Sequence, residues 1–398
     1  MTEPRFLQIH FLASYPGALL NRDDAGLAKR LPFGSATRTR VSSQCLKRHW
    51  RMADDERAVH RLAESHEVEA ERSKMVIERR VTGPLRGEHD DEIVDAVETE
   101  MVKAIYGKKA TDPKARQALL LGRPEIDWLS EQARRLVSEA DDVESAAKSA
   151  VEFFKEEKSN LKALTDANAL ASGLESALFG RMVTSDPRAN RDAAIHVAHA
   201  FTVHDEQPEL DYFTVVDDLT GRSEDNEDGS SGAAGVFDTE LTSGLYYGYV
   251  VVDVPLLVSN LTGARRAEWR DEGVDRELAG QVVENLVHLV ATVTPGAKKG
   301  STAPYSYADL VLVEAGARQP RTLANAFREP VPLVGEGALL GRAVVAMERE
   351  AKEIDAMFDV HERRLLAARG DLTFGDAERS SLPKLASAAG AMVVAGEA

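Results

Sequence analysis

Ser42-Ser43-Gln44, set inside a basic stretch, is the arrangement in this chain best suited to chemistry, and that chemistry is phosphate binding. Hydroxyls, a side-chain amide and the open backbone N–H groups of a helix start can all donate hydrogen bonds to phosphate oxygens. Arg38 and Arg40 precede the serines two residues apart, so in an extended segment they share a face. Lys47 and Arg51 follow four apart, so on a helix they share one as well. Two cationic rows meeting at a capped helix end would hold several consecutive phosphates. The same residues also suit an ordinary capped helix with solvated basic side chains, and the local pattern leaves both readings open. A second basic element is Lys298-Lys299, between Gly296 and Gly300. Glycine lets backbone approach a ligand closely there, although a plain surface turn fits equally.

Other candidates are weaker. Asp23-Asp24 and Asp217-Asp218 are adjacent carboxylates of the kind that hold a divalent metal in a nuclease, yet neither pair has a spaced histidine or third acid. No metal site is expected. His196 and His199 stand three apart on an expected helix with no accompanying Glu-x-x-His pattern, so packing suits them better than ligation. Met182, Phe213 and Thr214 have the character of an apolar wedge that separates stacked bases, and alone they read as core. Phosphate-cradling Gly-Lys-Ser/Thr loops, dinucleotide fingerprints and Gly-x-Ser-x-Gly elbows are absent, so no cofactor is expected.

Charge sharpens the first reading. Residues 1–51 carry nine Lys/Arg against three acids, a local charge of +6, within 398 residues whose total is −17. The other 347 residues therefore carry −23. A polyanion would be confined to one groove while the remaining surface repels stray strands. Composition, 43% hydrophobic and 29% charged, is that of a globular protein. No apolar run is long enough to span a bilayer, and no signal pattern opens the chain, so a cytoplasmic protein without membrane partners is expected. The lone Cys45 excludes a disulfide framework.

The elements that must position these residues follow from periodicity. Phe6–Leu12 reads as a strand, Ser14–Thr37 as a loop, and Ser42 or Ser43 as a helix cap. From about 53 to 168 charge is dense and helical spacing dominates, which suits a helical insertion. Residues 177–183 read as a strand, 191–203 as a helix, and 211–217 as extended. The stretch 221–235 is acidic and rich in Gly and Ser, and 245–254 is the strongest strand. A helix over 275–293, a strand at 310–313, a helix near 340–368 and an Ala/Gly-rich tail complete the chain. The alternation predicts an α+β core of split βαβ type.

These segments together resemble the CasC (Cse4) family, the backbone subunit of the type I-E CRISPR surveillance complex, Cascade. The resemblance rests on Asn21-Arg22-Asp23-Asp24, Arg40-Val41-Ser42-Ser43-Gln44 with Lys47-Arg48, Gly180-Arg181-Met182 and Val197-Ala198-His199-Ala200. Phe213-Thr214-Val215-Val216-Asp217-Asp218-Leu219, Pro295-Gly296-Ala297-Lys298 and Ala324-Asn325-Ala326-Phe327 complete it, in family order. The resemblance implies a right-hand-like protomer with a modified RNA-recognition-motif (ferredoxin-like) palm. On this chain the palm covers 1–52, 171–198 and 244–398, the last with the C-terminal helices. Helical fingers cover 53–170 and an extended thumb arm covers 199–243.

It also implies a function. Copies would polymerise as a filament along a CRISPR RNA (crRNA), beside other Cascade subunits, and present the guide in kinked segments for pairing with target DNA. Such a subunit binds without catalysis. Arg22, Lys29, Ser42, Gln44, Lys47 and Arg51 would grip the guide backbone, joined from the local reading by Arg38, Arg40, Ser43, Lys298 and Lys299. Met182, Phe213 and Thr214 would sit at the kinked step, and Lys148, Lys155, Lys158 and Lys162 would face target DNA. The family often has an indole where this chain has Tyr212, and the acidic stretch 223–235 looks longer than usual. The rival reading is a metal-dependent ribonuclease using Asp217 or Asp218.

Overall fold

Phe6–Ala18 form β1, and the first eight of its residues are buried. Leu7, Ile9, Phe11 and Ala13 enter one core while Phe6 and Leu12 enter another, because alternate strand residues face opposite sides. The strand is thus covered on both faces along this stretch, and it runs on through the Pro16-Gly17 positions expected to be loop. The structure, a computed structural model, describes residues 5–107, 112–156, 168–183, 189–216 and 233–397.

The expected loop before Thr37 contains a hairpin, β2 (Arg30–Phe33) and β3 (Ala36–Val41). Gly34 opens its two-residue turn at φ +62°, and a Cβ there would meet the Arg328 carbonyl, so glycine is required twice over. α1 (Ser43–Met52) and α2 (Val59–Ser65) follow. Next come β4 (Ala70–Ser73), a π-helical turn at Ile77–Thr82, α3 (Asp91–Tyr106), β5 (Leu119–Gly122), α4 (Arg123–Ser138) and α5 (Val143–Glu156). Their apolar faces make a separate core around Val97, Met101, Leu129 and Ala150.

α6 (Leu174–Phe179) stands where a strand was expected. Leu174, Ala177 and Leu178 are buried at helical spacing, and glycines at positive φ, Gly173 and Gly180, bracket it. The expected helix at 191–203 is instead two short strands, β6 (Ile195–Val197) and β7 (Ala200–Thr202). Both pair with β9 (Ala233–Asp253), whose long exposed ladder outweighs local helix propensity. β8 (Pro208–Val216) pairs with the first half of β9 as a projecting hairpin.

Then come α7 (Val254–Thr262), α8 (Glu277–Thr292), a short α9 (Lys299–Thr302) and β10 (Ala308–Gly316). α10 (Leu339–Phe358) ends ten residues before the predicted limit, and β11 (Arg363–Ala368) takes the remainder. After β12 (Glu378–Arg379), the Ala/Gly-rich tail is itself a helix, α11 (Leu382–Ala395). Gly390 lets it lie against Gly280 of α8, where a Cβ would meet the Gly280 carbonyl.

The architecture is α+β. The large sheet runs β12–β11–β10–β1–β9–β7–β3–β2, with β6 and β8 also on β9, and its pairings are antiparallel except β11–β12. α1, α2, α6, α7, α8 and α11 cover one face. The Ala324–Phe327 turn and α10 cover the other. Between β1 and β10 lies a buried polar cluster. Glu314 receives His10 Nε2 at 3.0 Å, Arg321 at 2.8 Å and Arg364 at 2.7 Å. Burial works to raise the Glu314 carboxyl, but these donors hold it well below the carboxylate range. No described helix is long and apolar enough to cross a membrane.

Candidate nucleic-acid interface

Ser42 caps α1 from an extended conformation, its Oγ accepting from the Cys45 amide at 3.2 Å. The Ser42 amide in turn donates to Asn21 Oδ1 at 2.9 Å, which fixes the preceding loop against the helix start. Within that loop Asp23 Oδ1 accepts from the Ala25 and Leu27 amides, at 2.9 and 3.0 Å. Asp23 is therefore spent on turn geometry, and Arg22 is left exposed on the loop. Lys29 and Arg40 meet through a backbone hydrogen bond of 2.8 Å, Arg40 amide to Lys29 carbonyl.

His199 joins the cluster. Its Nδ1 accepts from the Ser43 amide at 3.2 Å and lies 3.5 Å from Arg40. Burial, then Arg40, Lys29 and Lys47, push its imidazole below the usual range. Arg40 thus reaches the ring directly, while Lys29 and Lys47 act on it through their charge. Burial and the neighbouring Arg51 and Arg72 likewise push the Lys47 ammonium down, and its Nζ lies 5.9 Å from the Phe179 ring centre. The expected helix for His196 and His199 gives way to extended backbone, and His196 bonds its own neighbourhood through the Ala193 carbonyl.

Two of the expected cations face inward. Arg38 is fully buried, donating to the Thr202 and Phe327 carbonyls at 3.3 and 2.8 Å. Alternation put it on the same side of β3 as Arg40, but that side is roofed at Arg38. This corrects the picture of two solvent-facing arginines. Arg51 lies 2.9 Å from Glu175, which also holds Arg72. Of the helix-start donors, the Ser43 and Cys45 amides have internal acceptors already. Among the described residues no carboxylate lies within ion-pairing distance of Arg22, Lys29, Arg40, Lys47, Arg48, Lys298 or Lys299, although Glu175 attracts Lys47 from farther away, whereas Arg30 is neutralised by Glu206 and Glu240.

The second basic element abuts the first. The Gly296 amide donates to His49 Nε2 at 3.3 Å, and the Ala297 amide to the Leu19 carbonyl at 2.9 Å. Lys298 bonds Thr239 at the base of the β8–β9 hairpin, and Lys299 is exposed. Burial pushes the Cys45 thiol up to about 11, which disfavours the thiolate.

On the hairpin, Phe213 stands opposite Phe237 in register, their ring centres 5.6 Å apart and nearly parallel. Phe213, Phe237, Thr214 and, elsewhere on the chain, Met182 are all exposed. The sequence reading missed Phe237, because the long acidic loop hides which residues face each other across the hairpin. Lys148 and Lys155 are exposed seven residues apart on α5, hence on one face. Lys158, Lys162, Asp217 and Asp218 lie outside the described residues. Among the described residues no group of three His, Cys, Asp or Glu side chains is arranged to hold a metal.

A comparison with curated proteins returned no match. Among solved structures, a chain described as "CRISPR RNA-guided surveillance complex, pre-nicking" is similar at 26% identity and TM-score 0.75, covering 98% of this chain and 100% of that one. A second, described as "CRISPR RNA-guided surveillance complex", shares the fold at 23% identity and TM-score 0.56, over 97% of this chain and 98% of its own. The model of the CT1975-like protein family matches residues 7–391. With the motif blocks in place along its length, the chain belongs to the CT1975-like family, the CasC (Cse4)-like proteins of Cascade.

Proposed function

We propose that this chain is the non-catalytic backbone subunit of a type I-E Cascade surveillance complex, and that it grips crRNA by its phosphates. One observation carries the reading: Arg40 and the Ser43 amide meet at His199 beside the serine-capped start of α1, with Lys29 joined to Arg40 through the backbone and Lys47 one turn along the helix. Arg22, Ser43, Gln44, Lys298 and Lys299 would extend that surface, and the buried Ser42 would hold the helix start in place beneath it. Phosphate contacts would supply affinity, while sequence would be read by pairing between guide and target DNA.

The sheet would serve as a modified RNA-recognition-motif palm, the helical insertion as fingers and the β8–β9 hairpin as thumb. Met182, Phe213 and Thr214 would separate bases at a kinked step, and Lys148, Lys155, Lys158 and Lys162 would meet target DNA. Copies would stack along the guide beside other subunits.

Binding of a single-stranded RNA by the full chain, followed across salt concentrations, tests this reading. Lys29→Ala/Arg40→Ala/Lys47→Ala should weaken binding for every RNA sequence and make the salt dependence shallower by about one per lost contact. Equal slopes for parent and triple variant would refute the grip.

A further inference from the structure

We propose that Tyr305 and Tyr307 form a stacking platform for an unpaired base of single-stranded RNA. The inference deepens the guide-binding reading and rests on it. Tyr305 and Tyr307 are 72% and 73% exposed, more than any other described aromatic side chain. Both border one cleft of about 780 Å³, whose lining also includes Ser14 and Arg369. Two bare phenol rings beside a cleft of this size suit a planar, partly polar ligand.

The backbone between them is held still. The Ser306 amide donates to Thr294 Oγ1 at 3.3 Å, and the Thr294 hydroxyl donates back to the Ser306 carbonyl at 3.0 Å. The Tyr305 amide also closes a tight turn onto the Ala303 carbonyl at 2.7 Å. The rings are therefore displayed from a fixed segment, which lowers the ordering cost of binding.

The cleft itself does not repel an anion. Among the described residues that line it the one acid, Asp309, is paired with Arg369 and Ser14, each at 2.8 Å. Lys298 and Lys299, without described carboxylate partners, lie a few residues upstream on the same segment. Lys298 reaches Thr239 at the hairpin base. A strand gripped by these lysines would carry its bases past the tyrosines. Stacking on an aromatic ring tolerates any base, which agrees with sequence-indifferent binding.

The test compares the full-length parent, Tyr305→Ala/Tyr307→Ala and Tyr305→Phe/Tyr307→Phe. The probes are a 30-nucleotide oligouridine RNA and an abasic ribose-phosphate oligomer of equal length. The alanine pair should bind the RNA about tenfold more weakly with an unchanged salt slope, while the phenylalanine pair matches the parent. The abasic oligomer should bind all three alike, and the thermal midpoints should agree. Equal RNA affinity for parent and alanine pair would overturn the platform, as would an equal loss on the abasic oligomer. Unchanged RNA affinity with loss of co-purified protein subunits would assign the rings to a protein partner and overturn it too. A parent that binds neither oligomer would sink the guide-binding reading itself.

Discussion

The imidazole of His199 takes its hydrogen bond at Nδ1 from the Ser43 backbone amide, 3.2 Å away. A ring nitrogen that accepts must be bare, so this histidine is neutral while the contact holds. Burial and the nearby Arg40, Lys29 and Lys47 act in the same direction. Its pKa in the folded chain therefore lies below the value of about 6.5 expected when unfolded. As pH falls through that value the unfolded chain takes up a proton that the folded chain refuses, and stability drops. His199→Gln should remove part of the decline in urea midpoint between pH 7.5 and pH 5.5. An unchanged decline would show that other histidines account for it.

Arg38 and Lys47 separate fold from grip. Arg38→Met leaves the Thr202 and Phe327 carbonyls without their donor, and should cost about 1–3 kcal/mol of stability. Its RNA-binding salt slope should stay at the parent value. Lys47→Ala should do the reverse, keeping the unfolding midpoint and lowering the slope by about 1. Chemical denaturation and RNA titration of the two variants check the pair.

Gly248 gives Phe11 its place. A Cβ at Gly248 would come within 2.1 Å of the Phe11 ring, directly across the β1–β9 pairing. Gly248→Ala should destabilise the chain by about 1–3 kcal/mol through overpacking. Phe11→Leu in the same chain should recover part of the loss. Two purely additive penalties in denaturant titration would contradict this contact.

Glu362 sets a limit on the alkaline side. Gln8 and Arg321 bond its Oε2, at 2.9 and 3.0 Å, while Oε1 is buried without a partner. Burial raises its carboxyl to about 7 despite Arg321. With a folded value above the unfolded one, near 4.3, its contribution is complete below that lower value. It fades as pH rises through about 7. Glu362→Gln, neutral at every pH, should flatten the stability profile between pH 5 and pH 8. An unaltered profile would place the titration elsewhere.

The legible parts were those where one residue type repeats. β-Branched and aromatic runs gave β1, the second half of β9 and β10, and paired serines gave the α1 cap. The helical texture of 53–168 was read from spacing alone. β6 and β7 were not legible, since three-residue strands exist only because β9 offers them a partner. All of β11 falls within the expected helix because Arg363-Arg364-Leu365-Leu366 suits either state until β10 pairs with it. At the site, alternation told that Arg38 and Arg40 share a side but not that Phe327 would roof Arg38. His199 entered the cluster only because the link between β6 and β7 lies against the start of α1.

Roofed above and below along β1, the sheet leaves no bare plane there on which a polymer can lie flat. On the proposed reading a bound strand would run instead along the rim, where β3 leads into the start of α1. A strand held there by its phosphates would show the protein its repeating spine and leave its variable groups free to pair, apart from any base resting on Tyr305 and Tyr307. One molded border could thus serve any message, and the choice of message would be left to whatever comes to meet those free groups.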